Sequence, residues 1–256
     1  MNVYETYDIG GLLSKNAYPG RGIVIGKSED GKNAVFAYFI MGRSENSRNR
    51  VFELRDGEVY TVPYDESKVE DPSLIIYRAV AHFGNYTIVT NGDQTDTIYD
   101  ALSNGKGFED ALSTRCFEPD KPNFTPRISG MIKYWGGSCC TCSDAKGCQI
   151  SFDFTYKMSI LKSADAEGSA CNRYYYNYSA LPGLGHFIHT YENDGNPLPT
   201  FCGEPERVKI PSSIDDFTNE IWEKLNKDNK ISLYVCYVNL ESRESDFRLK
   251  NKWEEK

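Results

Sequence analysis

The sequence predicts an α+β protein in which two β-sheets stack face to face with helices outside them, a four-layer α-β-β-α sandwich. Three observations predict it. Two strand–Asp-Gly–strand units open the chain, helix signals occupy its middle, and the second half returns to four strands before an amphipathic helix and a late strand. Hydrophobic residues make up 39 % and aromatics 13 % of the 256 residues, enough apolar material for one substantial core and a single domain over 1–256.

Each element has a local reason. GIVIGK (22–27) is β-branched, and Asp30-Gly31 after it is a type I′ hairpin signal. AVFAYFIMG (34–42) is apolar throughout, the pattern of a strand buried on both faces. VFELR, Asp56-Gly57 and EVYTVPY repeat the hairpin. Asp71-Pro72 offers an N-cap and a first-turn proline, so SLIIYRAVAHF is expected to be helical. YTIVT (86–90) reads as a strand, and NGDQTDTIYDALSNG as a turn opening a helix capped by Asp93 or Thr95 and ended by Gly105. FEDALST (108–114) predicts a short helix. RISGMIKYW, QISFDFTYKMSILKS, NRYYYNYSAL and HFIHTYE predict four strands, the second with Phe152, Phe154, Tyr156 and Met158 on one face. Ser213 precedes the stripe Ile214, Phe217, Ile221 and Leu225 of an amphipathic helix, and ISLYVCYVNL closes the core as a strand. The charged tail 241–256 is expected to fray.

Composition narrows the function. With 29 basic and 37 acidic residues the net charge is −8, which argues against a nucleic-acid partner, since phosphate neutralisation needs a basic surface. No apolar run approaches the roughly 20 residues that span a bilayer, and MNVYETYDIGG lacks a signal-peptide pattern. A cytoplasmic protein without membrane contact is the expectation. Four of eight cysteines, Cys139, Cys140, Cys142 and Cys148, crowd into one stretch. Four thiolates can hold zinc, but two separated C-x-x-C pairs are missing, so 138–148 reads as a reduced insertion loop with no metal.

Three constellations offer chemistry. MGRSENSRNRVF places Arg43, Arg48 and Arg50 against a single Glu45. Guanidinium forks suit phosphate and carboxylate oxygens, and Ser44, Ser47 and Asn49 add neutral donors. A solvated turn that keeps a sheet edge soluble is the alternative. TNGDQTD joins a strand to a helix N-terminus, where free N–H groups favour anions. Asn91, Asp93, Gln94, Thr95 and Asp96 suit a heterocycle or ribose, or are simply caps. The stretch 182–208 carries His186 and His189, three apart and so on opposite faces of a strand, and Glu204 in a Gly-Glu-Pro turn, a general acid or base or only a turn residue. Arg127 in FTPRISG is a further anion-binding option. P-loop, dinucleotide-fold, zincin and α/β-hydrolase signatures do not occur.

YPGRGIVIG, FIMGRSENSRNRVF, TNGDQTD, TPRISG and LPTFCGEPERV, in this order over roughly residues 18–210, make the chain resemble the archaeal-type IMP cyclohydrolase family. The Cys-rich stretch departs from that pattern. The resemblance implies a fold like that of the N-terminal-nucleophile hydrolases, without an N-terminal nucleophile. It implies cofactor-independent closure of 5-formamidoimidazole-4-carboxamide ribonucleotide to inosine monophosphate plus water, the last step of purine biosynthesis. It points to a purine ribonucleotide as partner and suits a homo-oligomer. On this reading Arg43, Arg48 and Arg50, with Arg21 nearby, cradle the 5′-phosphate. Asn91, Asp93, Gln94, Thr95 and Asp96 grip base or ribose, and Tyr60 and Glu204 move protons. A related amidohydrolase and a nucleotide-binding sensor without turnover are the competing readings.

Overall fold

The computed structural model describes residues 4–69, 76–138 and 150–254. The chain runs through α1 (Ile9–Lys15), β1 (Arg21–Lys27), β2 (Asn33–Met41), α2 (Glu45–Arg48), β3 (Val51–Arg55), β4 (Glu58–Val62), β5 (Tyr77–Phe83) and β6 (Tyr86–Thr90). It continues with α3 (Gln94–Ser103), α4 (Phe108–Ser113), β7 (Arg127–Ser138), β8 (Ile150–Ser163), β9 (Cys171–Ser179), β10 (Leu184–His189), β11 (Glu206–Lys209), α5 (Ile214–Lys224), β12 (Lys230–Asn239) and β13 (Ser245–Asn251). Two antiparallel sheets result, a six-stranded one ordered β11-β10-β1-β2-β12-β13 and a seven-stranded one ordered β3-β4-β5-β6-β7-β8-β9.

Side-chain alternation builds the stacking. In β2, Phe36, Tyr38 and Ile40 point between the sheets and meet Phe52, Val59, Ile128 and Tyr156 of the seven-stranded sheet. Val35, Ala37 and Phe39 of the same strand point outward, against Ile9 and Leu13 of α1 and Phe217, Ile221 and Trp222 of α5. Outside the other sheet, Ala81, Ile88 and Met131 pack on Ile98 of α3 and on Phe108 and Leu112 of α4. Helices therefore lie outside each of two facing sheets, compatible with the expected sandwich. No described helix is long and apolar enough to cross a membrane.

Several expectations change. Residues 77–83 are the strand β5 rather than a helix. It lies between β4 and β6 with Ala79, Val80 and Ala81 all fully buried, so packing on both faces erases the alternation that would mark a strand. The Asp71-Pro72 cap lies outside the described residues, as does the Cys139, Cys140, Cys142 and Cys148 stretch that joins β7 to β8. At the second hairpin Asp56 and Gly57 both have positive φ, as a type I′ turn requires. Asp30-Gly31 instead sits in a longer turn, where Asp30 accepts hydrogen bonds from the Ser28 hydroxyl and the Lys32 N–H. Within the described residues the tail is ordered rather than frayed, Ser245–Asn251 forming β13. β13 pairs with β12, and the buried Asn251 side chain accepts from the Phe52 N–H and donates to the Phe52 carbonyl, tying the two sheets together.

Candidate active site

An ionisable cluster forms between the sheets, supplied by the start of β1, by Tyr38 within β2, by Arg50 just before β3, by the start of β5, and by the segments 118–127 and 190–191. Gly20 makes its approach possible. Its φ is +76°, and a Cβ there would meet the Thr190 hydroxyl at 2.3 Å and the Tyr191 ring at 2.6 Å. The next residue, Arg21, donates its backbone N–H to Thr190 Oγ1 at 3.1 Å and points its guanidinium to Glu118, 3.7 Å away. Arg21 Nε is buried without a protein partner. Burial opposes the charge of Arg21, yet the Glu118 carboxyl beside it holds the guanidinium above its ordinary value.

Arg50 is 3 % exposed and donates to the carbonyls of Ser47 at 2.7 Å and Met41 at 3.1 Å. Burial, and then the neighbouring Arg21, lower its pKa. Glu118 is 6 % exposed, and burial pushes its carboxyl up against the pull of Arg21 and Arg127. Its loop is folded tightly: the Glu118 N–H donates to Thr125 O, while Thr125 bonds Asp120 and shares a 2.6 Å hydroxyl contact with Tyr191. Tyr38 and Tyr77 complete the group, their hydroxyls 2.8 Å apart in the interior. Burial, and then Tyr77, raise Tyr38 well above the usual phenol range.

The TNGDQTD turn serves this cluster indirectly. Asn91 accepts from the Ile128 N–H and donates to Pro126 O, Gln94 donates to Asn91, and Thr95 shares a hydroxyl contact with Thr90. Arg127 donates to Gln94 Oε1 at 2.7 Å and to Asp93 at 2.6 Å, and Asp93 also binds Arg115. Although burial works against it, Arg115 and Arg127 hold the Asp93 carboxyl below its ordinary value. A Cβ on Gly92 would stand 2.5 Å from Arg127 Nη1, so glycine lets the guanidinium lie against the turn. Of these side chains Asp93 and Gln94 hold Arg127 directly, while Asn91 bonds the backbone on either side of it. Asp93 occupies the N-cap position of α3 without a side-chain cap, its carboxylate being taken by the arginines.

The remaining expected residues lie elsewhere. Arg43 reaches Asp194 and the Gly195 carbonyl and lies over the Tyr18 ring, 5.1 Å from its centroid. Ser44 caps α2, Arg48 clamps Gly42 O and Asn229, and Asn49 bridges both backbone groups of Asp65. Arg48 and Asn49 line a separate cavity of about 460 Å³ with Tyr64, Lys68 and Trp253. The short helix α2 breaks the simple alternation between Arg48 and Arg50, which is why only Arg50 turns inward. Tyr60 faces outward, bonded to Glu58 and beside Arg78, which also holds Asp96 of α3. Glu204 is exposed near Tyr176 and Tyr178 of β9. His186 and His189 do face opposite sides: His186 bonds the Tyr156 hydroxyl between the sheets, and His189 bonds the Tyr191 carbonyl. Among the described residues no group of His, Cys, Asp and Glu is arranged to hold a metal ion. Sequence reasoning missed Tyr38, Tyr77 and Glu118. A tyrosine in an all-apolar central strand was the one available signal, for Tyr38.

Comparison with known proteins adds a second line. The family described as IMP cyclohydrolase-like protein matches residues 18–243. The IMP cyclohydrolase of Methanopyrus kandleri is 28 % identical over 193 residues, covering 72 % of this chain and 89 % of that protein. The IMP cyclohydrolase of Methanococcus maripaludis strain C7 is 36 % identical over 120 residues, covering 45 % of this chain and 58 % of its own length.

Proposed function

The chain belongs to the family of IMP cyclohydrolase-like proteins, and from that premise we infer that it is an IMP cyclohydrolase, closing 5-formamidoimidazole-4-carboxamide ribonucleotide to inosine monophosphate and water. The observation that carries the substrate class is a charge imbalance. Arg50, which is buried, and Arg21, whose side chain is 13 % exposed, lie near one buried carboxyl, Glu118, and the buried Arg21 Nε has no protein partner. Buried charge without a counter-charge is costly, and a bound phosphate corrects it with the bidentate geometry that guanidinium favours. We therefore move the proposed phosphate cradle from Arg43, Arg48 and Arg50 to Arg21 and Arg50. Arg43 keeps a place at the rim, over Tyr18.

Ring closure asks three things of these residues. The carboxamide nitrogen attacks the formyl carbon, and since an amide is a weak nucleophile, holding the two in near-attack geometry supplies much of the acceleration. The formyl oxygen gains negative charge on attack, and fixed hydrogen-bond donors aimed at it lower the barrier. Nitrogen must then lose a proton, for which Glu118 is the buried base. Tyr60 and Glu204, on the outer face and on an exposed turn, are replaced in these roles by residues of the cluster. We assign the architecture to the N-terminal-nucleophile hydrolase type, supported by two facing antiparallel sheets with helices outside each; the chemistry proposed uses no N-terminal nucleophile.

Calorimetry with inosine monophosphate and inosine tests the cradle. The nucleotide is expected to bind at least about tenfold tighter, one charge-assisted hydrogen bond being worth roughly 1.5–3 kcal/mol. Arg21→Gln or Arg50→Gln removes most of that difference. Equal affinity of wild type for both compounds would remove the phosphate role from the pair.

A further inference from the structure

We propose that the cavity of about 460 Å³ lined by Glu45, Arg48, Tyr64, Lys68 and Trp253 is a second ligand site, which takes the uncharged 6-aminopurine ring of a nucleoside and is coupled to the phosphate cradle through Arg50. The coupling rests on the cradle reading above; the site itself does not.

The cavity has the size of a small-molecule pocket, roughly 300–1,000 Å³, and shares no lining residue with the Arg21–Glu118 cluster. Tyr64 and Trp253 stack there with ring centroids 5.8 Å apart, yet they are 56 % and 40 % exposed. Two neighbouring aromatic rings left open to solvent form a platform for a planar heterocycle, because every nucleobase has a π-face that stacks on such side chains. Polar groups at the rim narrow the choice. The Lys68 ammonium stands 3.8 Å from the Glu45 carboxylate and 3.9 Å from that of Asp65, beyond hydrogen-bond distance. A cationic donor next to a carboxylate acceptor, not bonded to each other, fits a ring edge with an acceptor next to a donor. Adenine carries that edge in N7 and its 6-amino group. Among the lining side chains Arg48 and Lys68 balance Glu45 and Asp65 in charge, which suits a neutral occupant rather than a phosphate. Trp253 lies beyond the family-matched segment 18–243, so the platform is not built from the matched residues alone.

The same residues lead to the cradle. Trp253 Nε1 donates to the Arg48 carbonyl at 3.1 Å, and Asn49 bonds both backbone groups of Asp65 at 2.7 Å. Arg50 follows directly and donates to the Ser47 carbonyl in α2. No residue of α2 is buried, so these bonds, and not a core, set where the helix lies. A ring that stacks on Trp253 and bridges Glu45 and Lys68 joins α2 to the C-terminal segment and orders the residues that carry Arg50. A second ligand that needs Arg50 in place then binds a segment already ordered, which is positive coupling.

Calorimetry on the full chain tests both steps, with ribose 5-phosphate as the probe that fills the cradle without a purine ring. Adenosine is expected to bind with a Kd below about 1 mM, and to do so with ribose 5-phosphate at saturation. Trp253→Ala and Lys68→Ala each weaken adenosine at least about tenfold, the loss of one base–aromatic stack or one charge-assisted hydrogen bond. Both variants keep the wild-type affinity for ribose 5-phosphate measured alone, which shows that they are folded. Saturating adenosine tightens ribose 5-phosphate about fivefold, and that gain is lost in Trp253→Ala. With the cradle filled, adenosine 5′-monophosphate binds no tighter than adenosine; a tenfold preference for the monophosphate would contradict the neutral occupant. No saturable binding of adenosine, or equal binding by wild type and Trp253→Ala, would overturn the site. A ribose 5-phosphate Kd that adenosine does not move would overturn the coupling. Ribose 5-phosphate that fails to bind at all, with adenosine binding intact, would sink the cradle reading and the coupling with it while the site stands.

Discussion

Glu118 is held out of water beside a guanidinium, and burial raises its carboxyl pKa against the pull of Arg21 and Arg127. If its carboxylate is the base, kcat falls as pH drops through that raised value, because protonation removes the acceptor. Glu118→Gln is expected to lower kcat by roughly 100-fold and to flatten this acid limb; an acid limb unchanged in Glu118→Gln would assign it to another group. At this scale the arginines were half legible. The run Arg43, Arg48, Arg50 signals anion chemistry, but a four-residue helix inside it sends each guanidinium to a different place. Glu118 and Tyr77 were not legible, and Tyr38 only as a tyrosine in an apolar strand, because the three lie far apart in sequence and only the stacking of two sheets joins them. The polar richness of TNGDQTD was visible, whereas its use in fixing Arg127 depends on a strand 30 residues or more further along.

Elements with a strong local signal form as expected. Ser213 accepts the Asp216 N–H at the start of α5, and Phe217 and Ile221 are fully buried beneath it. β5 and β13 were misread because pairing and burial by neighbours, not local pattern, make them strands. Asn251 shows what such tertiary bonds are worth. Asn251→Ala leaves the buried Phe52 N–H and carbonyl unpaired and frees the Ser232 hydroxyl. A loss on the order of 3 kcal/mol is expected from those unsatisfied groups, measured by urea unfolding; a change under about 0.5 kcal/mol, typical of surface sites, would return the tail to the frayed state first expected. β10 contributes a pH-dependent term. Burial, and then Arg207, bring the His186 pKa from 6.5 down to about 4. The folded imidazole stays neutral while the unfolded one gains a proton, so this part of the stability is complete above pH 6.5 and drains as pH falls toward 4. His186→Gln, which retains an acceptor for the Tyr156 hydroxyl, is expected to flatten that slope; an unchanged slope between pH 6.5 and 4 would show that His186 is not its source.

At the scale of the whole molecule, an acidic chain of net charge −8 places Arg21 and the buried Arg50 and Arg127 around the buried Glu118 between its sheets. That contrast separates a ligand site from general surface electrostatics, because charge far from a low-dielectric interior is screened within about 10 Å at 0.1 M salt. Layering was legible from hairpin signals and amphipathic stripes, since each sheet and helix must bury an apolar face. Which ends of which strands converge was not, because register and crossover are set by packing. The family match and the cluster come from independent observations, one from aligned residues over 18–243 and one from geometry. The family match and its relatives name one reaction, so the direct measurement is ring closure itself. The purified protein is mixed with 5-formamidoimidazole-4-carboxamide ribonucleotide, with a chelator and no added cofactor, and the ultraviolet change on purine formation is followed. Turnover well above the spontaneous rate, with release of inosine monophosphate, is the expected result. Tight binding of inosine monophosphate with no turnover would contradict it and make the protein a nucleotide sensor.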